Sequence, residues 1–295
     1  MFKIQFYFRF LFFLIMIMSN FLYSISVITA ASLITTAASA SVSVSNYPLA
    51  LLSNAVTKGS EPAGVLLEKG DVGHHGSLSP SKVKMAKDSR FVVWFGSQLE
   101  QNLVNNLNDA PNAISLYQMN AYHRLPLRDV QGNPKPDSLD PHLWLDPENA
   151  KAIVRALVVI HSHDNPKNAQ LYQKNAQEFA SRMDKAVASL PKTAKRPYWA
   201  YHDSFQYLEK SLNLSFFGAL TPDHHIAPKV NQIKYLSENR PNKTMCLLSQ
   251  GAVSSGIANK LGNIRVAVLQ EDLSDATDFV DAWQKSAQEI YTCTQ

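Results

Sequence analysis

The chain has 295 residues, of which 45% are apolar and 18% are charged, so it is long enough to build one large or two medium hydrophobic cores. This composition excludes a protein that is disordered over most of its length. The formal net charge is +4, but Lys3 and Arg9 lie in the first forty residues with no acid beside them, which leaves about +2 for the rest. So weak a charge argues against a nucleic-acid partner.

The N-terminus has the pattern of an export signal. Lys3 and Arg9 are interleaved with or followed by a long apolar run, and small residues continue to Ala40. We therefore predict a signal peptide over residues 1–40, cleaved after Ala40. The alternative is an uncleaved membrane anchor, because the apolar zone from Leu11 to Ala38 is long enough to span a bilayer. No cysteine directly follows this zone, so a lipid-anchored form is not predicted.

Short apolar runs then alternate with helical patterns, which predicts βα units and parallel sheets. Ser79 and Pro80 have the pattern of an N-cap followed by a proline in the first helical turn. Leu99, Leu103 and Leu107 form a helical stripe. In this first part, VSVSNYPLALL from Val42 is predicted as a strand that runs into a helix. The other predicted strands are AGVLLEKG ending at Gly70, FVVWFG from Phe91 and AISLYQ from Ala113.

The stretch from Met119 to Asp140 is polar and rich in proline and glycine, so we expect a surface loop without regular structure. Pro147 then opens one helix, and a longer helix of roughly 35 Å begins at Asn165 and Pro166. Beyond Pro191 the alternation resumes, and an amphipathic helix closes the chain from Ser274. The predicted strands of this second part are YWAYH, LSFFGAL, TMCLLSQ and RVAVLQ.

The whole pattern predicts an α/β fold with two lobes, each containing a parallel sheet, joined by the long helix. The expected boundaries are an N-terminal lobe over residues 41–164, a linking helix over 165–190 and a C-terminal lobe over 191–295. No repeat recurs at a fixed period.

The chain has two cysteines, Cys246 and Cys293. An exported protein meets an oxidising compartment, where two thiols in one lobe favour a disulfide over a redox or metal pair. Their spacing is far from that of close CxxC motifs. We predict a disulfide that ties the C-terminal helix to a strand.

Three of the nine histidines, His74, His142 and His202, sit where a strand or loop meets the next element. In open parallel sheets, the carboxyl ends of the strands are where ligands bind. Three neutral imidazoles suit Zn(II), which takes three or four N, S or O donors, whereas manganese would prefer carboxylates. The sequence therefore predicts a zinc site, with a water or a carboxylate in the fourth place.

Other residues near these histidines have structural explanations. We interpret Asp146 as a helix cap and leave Asp203 open between a cap and an outer partner of the metal site. His161 and His163 end a helix, where cationic side chains are favourable. His224 and His225 lie in a loop and are candidates for assisting metal capture.

Three segments carry a family resemblance: GDVGHHGSLSPSKVKMAKDSRFVVWFGSQLE, DPHLWLDPENAKAI and YHDSFQYLEKSLNL. In order and content they resemble the histidine segments of the substrate-binding proteins of high-affinity zinc ABC importers. The resemblance covers nearly all of the chain after the signal. It implies two Rossmann-like lobes bridged by one rigid helix, with Zn(II) bound in the cleft between them.

By this resemblance, His74 and His142 are ligands from the first lobe and His202 is a ligand from the second. Manganese and iron relatives carry a glutamate where His202 stands, so His202 indicates zinc. The family's zinc branch commonly pairs a strand cysteine with one near the C-terminus, as Cys246 and Cys293 are placed.

The chain also departs from the family pattern. Gln270 occupies the position of a family aspartate that can be the fourth ligand, and Glu271 and Asp272 are displaced from it by one and two residues. We therefore expect water in the fourth place, with these three residues and His75 as possible auxiliary ligands. The loop before His142 contains only His123, so a histidine-rich zinc-gathering loop is absent or reduced.

The predicted function is a periplasmic zinc carrier, monomeric, that delivers Zn(II) as its transported ligand to an inner-membrane ABC permease. One alternative is a secreted zinc hydrolase that uses three histidines and a water, although no HExxH motif is present. Another is a surface adhesin or a zinc buffer on the same fold.

Overall fold

The computed structural model describes residues 41–71, 78–222 and 226–295. The predicted signal peptide over residues 1–40 lies outside the described residues, as do His74, His75, His224 and His225. Within the described ranges, no helix has both the length and the apolar character needed to cross a bilayer.

The first half of the chain forms a parallel sheet of four strands in the order β2-β1-β3-β4. The cap predicted at Ser79 precedes the helix that starts at Pro80, and the first helix has a cap at Asn46, whose side chain accepts a hydrogen bond from Leu49 N (3.2 Å). The elements are β1 (Val42–Val44), α1 (Tyr47–Thr57), β2 (Gly64–Val65), α2 (Pro80–Asp88), β3 (Phe91–Trp94), α3 (Val104–Leu107) and β4 (Ala113–Ser115).

The second half repeats this arrangement, with a parallel sheet in the order β6-β5-β7-β8. In both sheets the strand order reverses next to the first strand of the half, which is the switch point where α/β proteins bind ligands. The elements are β5 (Arg196–His202), α6 (Glu209–Leu212), β6 (Leu214–Thr221), α7 (Val230–Glu238), β7 (Met245–Ser249), α8 (Ser255–Leu261), β8 (Ile264–Val268) and α9 (Phe279–Cys293).

Two long helices, α4 (Pro147–Asp164) and α5 (Ala169–Ala188), connect the sheets and pack against each other. Helix α5 contacts both halves: Asn175 donates to Val56 O of α1 (2.8 Å), and the Phe179 ring packs against Phe279 of α9 (5.9 Å between centroids). The predicted fold class is confirmed. The domain boundaries at residues 164 and 190 stay predictions.

Two elements are shorter than predicted. The helix expected along the stripe of Leu99, Leu103 and Leu107 is reduced to a 3-10 turn (Gln101–Leu103) and α3. The Glu100 carboxylate accepts from Phe95 N (2.7 Å) and Gly96 N (3.2 Å) and forms a turn where the helix would begin. Strand β2 ends at Val65 rather than near Gly70, since its partner β1 gives way to the helix cap at Asn46.

Residues 119–140, the crossing segment, contain no helix or strand, as predicted. The segment is nevertheless fixed to the second sheet, because Ala219 N of β6 donates to Val130 O (2.9 Å). Strand β6 is the edge of that sheet, so the crossing segment carries the chain from the first half onto the edge of the second.

The predicted disulfide between Cys246 and Cys293 is confirmed and joins β7 to α9, with 5.4 Å between the Cα atoms. It closes a loop of 47 residues. Chain-entropy loss in the unfolded state then predicts that reduction lowers the free energy of unfolding by about 4 kcal/mol. Urea unfolding with and without reductant measures this difference, and a variant with both cysteines replaced by serine should not respond to the reductant.

Candidate metal centre

The candidate site lies at the carboxyl ends of the second sheet. His202 is the last residue of β5, which flanks the switch point, and Glu271 follows β8 on the same side of the parallel sheet. His142 comes from the first half, directly before a 3-10 turn over Leu143–Leu145. The fold therefore brings three residues that are distant in sequence to one place.

Among the described residues, one group has the geometry to hold a metal ion, and it consists of His142, His202 and Glu271. Their donor atoms lie within 4.8 Å of one another. His142 Nε2 is 3.1 Å from Glu271 Oε1, and His202 Nε2 is 3.7 Å from Glu271 Oε2. All three are buried, and Glu271 is the most accessible at 9%. Two imidazoles and a carboxylate are a ligand set that suits Zn(II).

Asp140 orients the His142 ring. Its Oδ1 atom lies 2.7 Å from His142 Nδ1 and accepts a hydrogen bond from the His142 backbone N–H (3.0 Å). A proton held on Nδ1 by this carboxylate leaves Nε2 as the metal-facing atom. The Trp144 ring packs at 5.6 Å from the imidazole and limits its rotation. Asp140 thus holds both the backbone and the ring of His142, and Trp144 packs against the ring.

The two histidines differ in their affinity for protons. Burial lowers the pKa of His142, but the Glu271 and Asp140 carboxylates outweigh burial and raise that pKa to about 10. Burial lowers the pKa of His202, and Glu271 offsets this only in part. At neutral pH and without a metal, His142 therefore carries a positive charge beside Glu271, and His202 is neutral.

Three consecutive residues were candidates for the fourth ligand, and the structure separates them. Glu271 faces both histidines, whereas the exposed Gln270 lines a cavity of about 330 Å³ against α9. Asp272 accepts from Gly70 N (2.6 Å) and Ser274 N (3.2 Å). Asp272 therefore joins the loop that follows β8 to the residues that precede His74 in the sequence.

The remaining candidates have other partners. Asp146 caps α4, as predicted, by accepting from Glu148 N (2.7 Å). Asp203 is bound by Arg128 and does not cap the turn that follows it. His123 is largely exposed, with Nδ1 at 3.7 Å from Asp146 Oδ2.

The interpretation of His161 as a cation at a helix end is wrong. The residue is buried and bonds Ser53 Oγ at 2.8 Å, and burial lowers its pKa to about 4. His161 is therefore a neutral residue of the core between α1 and α4. His163, at the same helix end, is exposed.

Sequence reasoning missed Glu100, which is completely buried after β3. Besides the backbone donors already described, Asn46 Nδ2 donates to it (2.9 Å), so it joins the ends of β1 and β3. Burial raises the pKa of Glu100 to about 8. Glu100 is the last residue of the first segment that carries the family resemblance. Its burial depends on a contact with the distant Asn46, which the sequence alone does not show.

Comparison with known proteins gives a consistent result. Residues 42–293 match the family described as "Zinc-uptake complex component A periplasmic". The high-affinity zinc uptake system protein ZnuA of Haemophilus ducreyi is 24% identical over 273 residues, which cover 80% of this chain and 85% of that relative.

Solved structures show the same fold. A crystal structure of ZnuA superposes with a TM-score of 0.70 at 19% identity, over 86% of this chain and 98% of that one. Zn(II)-bound AdcA from Streptococcus pneumoniae gives 0.64, also at 19% identity and over 86% of this chain. AdcA is the longer protein, and the match spans 57% of its length.

Proposed function

Because the chain belongs to the family of periplasmic zinc-uptake complex components, we propose that it binds Zn(II) in the cleft between its two lobes and delivers the ion to an ABC-type membrane permease. The observation that carries this proposal is the convergence of His142, His202 and Glu271 on one point. Neither the matched family nor the relatives named above is a hydrolase, so the alternative of a secreted zinc enzyme has no support from them.

We assign the protein ligands as His74, His142, His202 and Glu271. The assignment of His74 rests on the resemblance of its segment, and that of Glu271 rests on its distances to the two histidines. A carboxylate in the fourth place replaces the water expected from the sequence. It offsets part of the charge of the ion in a buried site, where an unbalanced charge is costly.

The proposal includes periplasmic location and a monomeric carrier. Ligands from both halves of the chain suit a carrier, since separation of the lobes would break the ligand set and release the ion. The coordination therefore links zinc release to a change that a docked permease can impose.

The function is tested with protein purified from the periplasm. We expect one zinc per chain by elemental analysis, and sub-micromolar affinity in a competition with a chelator of known affinity. A deletion strain should grow poorly in zinc-poor medium and recover when zinc is added. Protein that holds no zinc against an equimolar weak chelator would rule out the carrier, and ester or phosphoester turnover lost in His202→Ala would favour the enzyme.

Zinc binding should release about one proton per ion at pH 7.5. His142 is protonated there because its pKa is about 10, and Zn(II) must displace that proton, whereas His202 is already neutral. Zinc affinity should therefore fall about tenfold for each pH unit below 10, at first through His142 alone. Calorimetry in buffers of different ionisation enthalpy measures the released protons, and His142→Ala should remove most of the effect.

A further inference from the structure

The crossing segment places one arginine inside the second half of the molecule. Arg128 donates from Nε to Asp203 Oδ2 and from Nη2 to Asp203 Oδ1, each at 2.7 Å. Its Nη1 lies 2.7 Å from Glu209 Oε1, and the guanidinium covers the Phe216 ring at 4.1 Å. Only 9% of the side chain is exposed. A planar, bidentate and largely desolvated pair of this kind fixes geometry more tightly than a surface ion pair.

The close packing of the crossing segment against β6 holds Arg128 in this position. Gly218 adopts φ of +119°, and a Cβ atom there would lie 3.0 Å from Val130 O and 2.6 Å from Leu236 Cδ2. The crossing segment thus passes close to β6 at a residue whose backbone conformation favours glycine. Gln232 also donates to Ala219 O (2.7 Å) where the segment meets the strand.

Asp203, the carboxylate that Arg128 binds, is the residue directly after His202. Parallel β5 ends at His202, so the ladder of the sheet no longer holds the chain beyond that point. The two hydrogen bonds from Arg128 clamp Asp203 and so hold the backbone next to His202, where the sheet no longer does.

A reciprocal contact supports the other histidine. With its amide nitrogen facing the acceptors, Gln206 donates to Asp140 Oδ2 (3.1 Å) and to Pro126 O (3.0 Å). Asp140 Oδ1 is the atom that bonds the His142 ring. Arg128, from the first half, thus holds the carboxylate next to His202. Gln206, from the second half, holds the carboxylate that bonds the His142 ring.

We propose that Arg128 is a positioning residue of the metal centre: by clamping Asp203, it holds His202 in the orientation that meets His142 and Glu271. The crossing segment, in which His123 is the one histidine, then serves to align ligands rather than to gather zinc. This inference rests on the proposed zinc-binding function and concerns how the site is held.

The test compares two arginines that each bind an aspartate with two hydrogen bonds, Arg128 in a buried pair and Arg182 in a pair that is about one third exposed. Arg182 binds Asp278 in bidentate fashion (2.7 and 2.8 Å) on α5, and neither residue contacts a metal ligand among the described residues. Zn(II) affinity, the zinc dissociation rate, the Co(II) absorption spectrum and the thermal midpoint are measured for Arg128→Met, Arg128→Lys and the control Arg182→Met.

We expect Arg128→Met to weaken zinc binding about 10- to 100-fold, mainly through faster dissociation, and to change the Co(II) ligand-field bands. Arg128→Lys should recover part of the affinity, and Arg182→Met should stay within about twofold of the parent protein. Arg128→Met combined with Asp203→Asn should cost little more than either change alone.

Two results would overturn the proposal while leaving the carrier function intact. In one, Arg128→Met lowers the thermal midpoint but keeps the parent's zinc affinity and Co(II) spectrum. In the other, Arg182→Met weakens zinc binding as much as Arg128→Met does, which would show a general loss of stability. Failure of the parent protein itself to bind zinc would instead refute the proposed function.

Discussion

Replacing Glu271 with glutamine is expected to weaken Zn(II) binding about 100-fold, or ~2.7 kcal/mol. The substitution keeps the size of the side chain but removes the negative charge that faces both histidines. In a buried site, that charge offsets part of the charge of the ion. The substitution also removes a carboxylate that raises the pKa of His142. The Glu271→Gln protein should therefore release less than one proton when zinc binds. Competition with a fluorescent chelator measures the affinity, and calorimetry measures the protons.

Glu238→Gln is the matched control for this change. Glu238 lies on α7, its side chain is 62% exposed, and its partner is Lys234. Its substitution should leave zinc affinity unchanged. A Glu271→Gln protein with the parent's affinity would restore the earlier expectation of water in the fourth place. Gln270→Ala then tests the neighbouring position, and we expect it to have no effect because Gln270 is exposed and lines the cavity against α9.

The role of Glu271 as a ligand could not be predicted from the sequence. The family resemblance limited the fourth-ligand region to three residues, 270 to 272, but the sequence favoured none of them as a ligand. Strand β8 ends at Val268, so the alternation that sorts inward from outward side chains stops before these residues. The turn that points Glu271 inward is held by the contacts of Asp272 with Gly70 and Ser274 and by the hydrogen bond from Leu273 N to Gln270 O (3.1 Å).

Local signals were more informative elsewhere. The caps at Ser79 and Asp146 and the strand that leads to His202 depend on neighbours within a few residues, so the local sequence predicts them. The disulfide followed from the compartment and from the small number of cysteines.

Contacts across long stretches of sequence were not predictable in the same way. The expected loop before His142 is irregular, but its fixed position depends on Arg128 meeting Asp203, 75 residues later. Burial of His161 likewise depends on Ser53 of α1, 108 residues away. No periodicity in a single sequence encodes such pairs, because each depends on how separate elements pack.

His202→Glu should change which metal the site prefers. By the family resemblance, a glutamate at this position accompanies manganese and iron, and carboxylates suit manganese whereas imidazole suits zinc. The new carboxylate would lie beside Glu271, whose Oε2 is 3.7 Å from His202 Nε2. Two neighbouring carboxylates repel each other until a cation separates them, which favours a hard divalent ion.

We expect Zn(II) affinity in His202→Glu to fall about 100-fold, and Mn(II) binding to become measurable by competition and by electron paramagnetic resonance. The apo protein should also be less stable at pH 8 than at pH 5, because one of the paired carboxylates must be protonated to relieve the repulsion and is deprotonated as pH rises. His163→Glu, at an exposed helix end, is the control and should alter neither metal. An unchanged ratio of zinc to manganese affinity in His202→Glu would mean that metal choice depends on the other ligands and on the shape of the cleft rather than on this residue.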